Sequence, residues 1–291
     1  MRDYVIMTDS CCDLSAEEVA ESALIVLPLT FTMGGITRRD LPDHSEMSLE
    51  QFYRSLRGGA ACTTAAVSVG EFTDAMRVIL NEGKDILCVC FSSALSTTWQ
   101  SARIAAQELQ PQYPDAKIIV IDSLSASRGQ GMLVWHAAKE KKKGGSIDEV
   151  ADWVRAAVPR QCHWFTVADL NHLRRGGRLN ATTAVIGTVL SIKPVMHCDA
   201  EGKLTPAGNA RGMNQALTEL VNKMDALGTR PLEKQSVFIC HADAPDSVEF
   251  VKGLLKERFG VTDVHADYIG PVIGSHTGAG TLGLFVFGSE R

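Results

Sequence analysis

Apolar and polar positions fall into blocks whose period changes along the chain. Continuous apolar runs at 4–8, 24–31, 85–91 and 116–121 have the length and the Val/Ile/Leu content of strands buried on both faces. Between them the pattern turns helical. After Ser68, the positions Phe72, Ala75, Met76, Ile79 and Leu80 keep an i, i+3, i+4, i+7, i+8 spacing, and Gly83 stops the stretch. Helix starts are marked at Ser48/Gln51, Ser68/Glu71 and Ser146/Glu149. In such boxes the serine oxygen accepts from the third amide, while the longer side chain returns to the serine's own amide. Strands alternating with helices predict a parallel sheet covered on both faces.

The second half reads differently. Strands are predicted at 163–167, 192–198, 237–242, 261–268 and 284–288, several with polar residues in alternation and one containing Pro194. Alternation and a strand proline predict a mixed or antiparallel sheet with an exposed face or edge. A helix over 246–260 is expected to be boxed by Asp246 and Glu249. The break in pattern falls within 145–165. The expected fold is therefore α/β with two domains, a parallel-sheet α/β/α domain over 1–155 and a mixed-sheet α/β domain over 156–291.

Composition narrows the partners. The 291 residues are 45% apolar and 22% charged, with 29 Lys+Arg against 34 Asp+Glu. The densest basic patch, Lys139 to Lys143, ends a helix before Gly144, where cations complement the helix dipole and solvate well. Nucleic acid is not an expected partner. No apolar run approaches the ~18 residues of a membrane span, and the opening run, too short and too polar downstream, is not expected to be a signal peptide. Eight cysteines are scattered without a C-x-x-C, several inside apolar strands, which predicts a reduced, cytoplasmic setting and no structural zinc. In that setting the sequon-like Asn180-Ala181-Thr182 carries no sugar.

Three early strands run out into polar pairs, Asp9-Ser10, Ser92-Ser93 and Asp122-Ser123. Such ends either cap the next helix or form a polar rim at the carboxyl edge of the sheet, where open α/β sheets bind ligands. Thr63 and Thr64, just before the Ser68 cap, could add hydroxyls to that rim. Near the other end, His276 sits among small residues in "IGPVIGSHTGAG". The G-x-G-x-x-G at Gly278, Gly280 and Gly283 leads into a strand rather than a helix, so it fails as a dinucleotide fingerprint. A nucleophile elbow, an H-E-x-x-H and a Walker lysine motif are all missing. Ser93, His276 and Asp9 could form a triad only by coincidence of residue types. His44, His136, His163, His172, His197, His241 and His265 read as surface or core residues. In "DLNHLRRGGRLN" (169–180), Arg174, Arg175 and Arg178 flank two glycines. That loop reads equally as an oxyanion or phosphate site and as a helix end with a basic last turn.

The ordered set "TDSCCDL", "TTAAVS", "FSSALSTTWQSA", "VIDSLSASRGQG", "LRRGGRL", "VLSIKPVM", "NARGMNQAL" and "IGPVIGSHTGAG" resembles the DegV family nearly end to end. The resemblance implies a carrier that holds one long-chain fatty acid, of the palmitate or oleate kind, in a tunnel between two domains. It implies no catalysis, cofactor or metal of the protein's own. A separate fatty acid kinase subunit would convert the presented carboxylate to an acyl phosphate, with transient membrane contact. The family's carboxylate-holding residues map onto Thr64 with Thr63 beside it, Ser93 with Ser92 beside it, and His276. The Gly-Gly-Arg loop with Arg174, Arg175 and Arg178, and Arg211 of "NARGMNQAL", would lie where phosphate or the kinase docks. The chain departs from the family at Ala65-Ala66-Val67, and at Ala94 and Thr97 in the serine loop. Two other readings stand beside this one: a Ser93/His276 acyl hydrolase and a lipid-responsive sensor.

Overall fold

The computed structural model describes residues 2–179 and 191–291. Its first half contains β1 (Tyr4–Asp9), α1 (Ala16–Glu21), β2 (Leu24–Leu27), β3 (Thr30–Met33), β4 (Ile36–Arg39), α2 (Leu49–Arg57), β5 (Cys62–Ala65), α3 (Val69–Asn81), β6 (Asp85–Cys90), α4 (Thr98–Leu109), β7 (Ile118–Asp122), α5 (Arg128–Lys142) and α6 (Ile147–Ala157). The second half adds β8 (Gln161–Thr166), α7 (Asn171–Arg175), β9 (Ile192–Cys198), β10 (Leu204–Arg211), α8 (Met213–Leu227), β11 (Val237–His241), α9 (Pro245–Phe259), β12 (Val264–Tyr268), α10 (Pro271–Thr277) and β13 (Leu282–Phe287).

The apolar runs of the first half form a parallel sheet in the order β2-β1-β6-β7. Every residue of β6 is buried, as a strand covered on both faces requires. α3 and α4 cover one face; α5 and α6 cover the other. The second half forms a six-stranded mixed sheet, β10-β9-β8-β13-β11-β12, in which the β11–β12 ladder is parallel. α8 and α9 pack on one side of it around a separate apolar cluster. α5 lies between the two sheets, touching β1 and β6 on one side and β11 and β13 on the other. Its residues from Arg128 to Val134 are all buried, so it shows little amphipathic pattern. Gly131 permits that fit, since a Cβ there would lie 2.5 Å from the Cys12 carbonyl oxygen. One core cluster consequently joins Met132 and Leu133 with Phe238 and Phe285 of the other sheet.

Several expectations are corrected. The apolar run 24–31 is two strands, because Pro28 cannot donate a ladder hydrogen bond and ends β2. β3 instead joins β4 and β5 in a small antiparallel sheet that the pattern did not announce. Pro194 lies neither at an edge nor on an exposed face. It is buried in β9, an interior strand, opposite Asn209 of β10, and β8 pairs with β9 only at Met196 and His197, so no ladder needs the missing amide. Asp246 and Glu249 do not box α9. That helix starts at Pro245, whose fixed φ and lack of an amide suit the first position, with Ala244 as an uncapped N-cap. Ser68/Glu71 and Ser146/Glu149 are full boxes, whereas Ser48 accepts from Gln51 N without a returning side chain. A further box, Ser15/Glu18, opens α1. Asn180-Ala181-Thr182 lies outside the described residues.

Candidate functional site

Strand alternation decides which threonine matters. In β5, Thr64 faces inward opposite Phe31, while Thr63 points out to solvent opposite Thr32. α10 docks on this small sheet and on α2, where the Tyr53 hydroxyl donates to the Ile269 carbonyl at 2.7 Å. The docking brings His276, in the last turn of α10, to Thr64: Nε2 lies 2.8 Å from Thr64 Oγ1. Burial, with the nearby Arg178 cation adding to it, pushes the His276 pKa down to about 4, so the ring is neutral at physiological pH.

The small residues around His276 have a packing reason. A Cβ on Gly176 would lie 2.3 Å from His276 Nδ1, and a Cβ on Gly278 would lie 2.6 Å from His172 Cδ2. Each histidine thus rests on a glycine of the other segment, and the Gly-Gly-Arg loop and the end of α10 interlock. Arg178 extends the lock to the first half. Its Nε donates to the Leu95 carbonyl at 3.2 Å and its Nη1 to the Gly176 carbonyl at 2.6 Å.

The serine loop after β6 is held by the aspartates at the neighbouring strand ends. Asp9 accepts from Phe91 N at 2.8 Å and from Cys11 N at 3.1 Å, and Asp122 accepts from Ser93 N at 3.2 Å. Burial pushes the Asp9 pKa up to about 6 despite these bonds. The carboxyl ends of the strands therefore brace the loop by capping it, and Ser93 is left in the wall of a cavity.

That cavity has a volume of about 470 Å³ and draws its walls from the loops after β6 and β7, the mixed sheet, the small sheet and α10. Thr64, His276 and the nearby Arg178 form a polar end, Ser93 lines the cavity as well, and Leu29, Phe91, Phe165, Leu173, Ile273 and Phe285 supply much of its apolar wall. Its size and its few convergent polar groups are those of a small-molecule site. Among the candidate residues, these four line the cavity. The structure leaves Thr63 in solvent, and it commits the buried Ser92 hydroxyl to the Gly202 carbonyl at 2.9 Å. Arg174 and Arg175 are exposed on α7, with Arg175 Nη2 at 3.2 Å from His172 Nδ1. Arg211 is exposed at the end of β10 and does not line the cavity. Arg178 differs from its neighbours in being part of the cavity wall beside His276, so the polar end includes a cation as well as neutral groups. Ala66, Ala94 and Thr97 also line it, which places three of the departures from the family pattern at the ligand space. The triad of Ser93, His276 and Asp9 is not assembled, because His276 Nε2 is engaged by Thr64 and Asp9 by backbone amides. Among the described residues no group of His, Cys, Asp and Glu is placed to hold a metal, and no helix is long and apolar enough to cross a membrane.

Residue-type reasoning passed over Thr281, Ser127 and His163, all of which line the cavity. His163 carried a usable signal: it is two positions from Phe165 on one strand and therefore shares its face.

Comparison with known proteins places the whole molecule. A family model described as the DegV family of uncharacterised proteins matches residues 3–289. A DegV domain-containing protein of Clostridium perfringens is 40% identical over 291 residues, covering 100% of this chain and 99% of that protein. Among solved structures, a DegV family protein of Thermus thermophilus described for its fatty acid binding is 31% identical, with a TM-score of 0.87 over 99% of this chain and 100% of that one. A stearic-acid-binding protein of Eubacterium ventriosum is 25% identical, with a TM-score of 0.83 over 98% of each chain. With matches that run from one end to the other in both sequence and fold, this chain belongs to the DegV family.

Proposed function

We propose that this protein binds a single long-chain fatty acid in the cavity and presents its carboxylate to a separate fatty acid kinase, which forms the acyl phosphate. The observation that carries the reading is the Thr64–His276 pair at 2.8 Å, set at the polar end of a 470 Å³ cavity whose remainder is largely apolar. The fatty acid binding described for the Thermus relative and the stearic acid named for the Eubacterium one support it. Each buried methylene contributes about 0.8 kcal/mol, so a sixteen-carbon tail supplies roughly 12 kcal/mol before ordering costs. The tail supplies most of the affinity; the head group needs only donors to fix its position. Thr64, Ser93 and the neutral His276 can donate, and the Arg178 cation offsets the carboxylate charge. The exposed Arg174, Arg175 and Arg211 are the candidates for contact with the kinase or the new phosphate.

Solvent extraction of the purified protein followed by lipid mass spectrometry tests the binding. A long-chain fatty acid in about equimolar amount is the expected result. A protein that comes out empty and takes up neither palmitate, oleate nor stearate overturns the reading. Adding the kinase subunit and ATP to the loaded protein then tests presentation, through the appearance or absence of acyl phosphate.

A further inference from the structure

The cavity wall carries a second imidazole besides that of His276. β8 and β13 pair antiparallel with Phe165 opposite Gly283 and His163 opposite Phe285, and all four residues line the cavity. Thr281, just before β13, marks the head-group end: its hydroxyl bonds the carbonyls of Thr277 at 3.1 Å and Gly278 at 2.9 Å, beside His276. His163 stands four strand positions further along, a distance of roughly 13 Å at 3.3 Å per residue, which about ten carbons of an extended acyl chain would span.

His163 is 5% exposed and packs edge-on to Phe285, with ring centroids 4.6 Å apart. Its Nδ1 lies 3.2 Å from Ser125 Oγ. Its other nitrogen, Nε2, has no hydrogen-bond partner among the described residues. The ring lines the cavity. Burial holds the ring well below its usual pKa and therefore neutral, with one donor nitrogen and one acceptor nitrogen. If Ser125 donates to Nδ1, an N–H is presented at Nε2; if Nδ1 donates to Ser125, a lone pair is presented instead. A ligand hydroxyl satisfies either arrangement. A tail of methylenes satisfies neither and would cover a polar atom without pairing it, an arrangement protein interiors avoid.

We propose that the cavity selects long-chain fatty acids carrying a hydroxyl group near the middle of the tail, and that the His163–Ser125 pair recognises this hydroxyl. The inference rests on the fatty-acid reading above and names the substrate class within it.

The test is competition binding to the delipidated full-length protein with stearate, 10-hydroxystearate and 12-hydroxystearate. The wild type is expected to bind at least one hydroxy acid no more than about fivefold more weakly than stearate, because the hydroxyl regains a hydrogen bond. His163→Leu should worsen the hydroxy-to-stearate affinity ratio by about fivefold or more, and Ser125→Ala should move it in the same direction. Should His163→Leu fail to fold, the ratio in Ser125→Ala decides. The proposal is overturned if the wild type rejects both hydroxy acids by more than that factor, or if the ratio stays unchanged in the folded variants. Loss of stearate binding in the wild type would fell the fatty-acid reading itself. Retained stearate binding with both hydroxy acids rejected would fell this inference alone.

Discussion

An imidazole with a pKa near 4 is a neutral donor or acceptor throughout the physiological range, and His276 owes that state to burial. Removing it in His276→Ala should weaken fatty-acid binding by about tenfold, the worth of one hydrogen bond to a charged group, while the tail contacts persist. Calorimetric titration checks this. Gly176→Ala reaches the same site from the other side. Its Cβ would stand 2.3 Å from His276 Nδ1, so the ring must leave Thr64 or the loop must shift. The expected cost is about 1–3 kcal/mol of stability, together with a His276 pKa that moves up toward the ordinary histidine value as the ring loosens. Proton NMR titration of the histidines reads this directly, and an unmoved His276 resonance would mean that the contact relaxes elsewhere. At this scale the sequence named His276 and both threonines but could not choose between the threonines, since that choice needs the strand that β5 forms.

Elements were legible where their pattern was long. The buried strands of the parallel sheet and the boxed helices α3 and α6 could be read because apolar runs and caps repeat the same message several times. β4 and β5 are four residues each, ITRR and CTTA, too short and too polar to stand out from loops. α10 reads as a glycine-rich loop because Gly270 gives it no side-chain cap and its seven residues hold barely two turns. Its position is supplied by tertiary contacts that no local pattern encodes. α5 is the opposite case, a long helix without amphipathic contrast because both faces are covered. Its first residue, Arg128, is 1% exposed and pairs with Glu18 while bonding the Asp13 carbonyl at 3.1 Å. Burial raises the Glu18 pKa, but His265 and Arg128 more than offset it and hold the carboxyl at about 2. Arg128→Ala leaves that carboxylate to His265 and Ser15 N and opens a void, and should cost about 2–5 kcal/mol in urea unfolding.

Over the whole molecule, carboxyls enclosed where the small sheet, α10 and α5 meet add to the pH response of Asp9 and Glu18. Burial pushes Asp13 up to about 7, and raises Asp40 well above its usual value. Asp13 accepts from Ser127 Oγ and from Gly270 N at 3.0 Å, and Asp40 accepts from Val272 N at 3.4 Å. A raised acid pKa means that the folded state holds its proton more tightly than the unfolded one. The resulting stability is complete below the unfolded value near 4 and is lost as pH rises through about 7. His276 opposes this from the other direction, losing stability as pH falls from about 6.5 toward 4. Asp13→Asn removes one titrating group. Its stability should therefore decline less than that of the wild type between pH 5 and pH 8, as thermal melts across that window would record. The shared position of α5 has a consequence for heredity as well as folding. Since that helix is walled by both sheets, a crossover that severed the chain after Ala157 would strip it of half its cover, and the genetic exchanges that shuffle autonomous modules should pass this gene on whole or not at all.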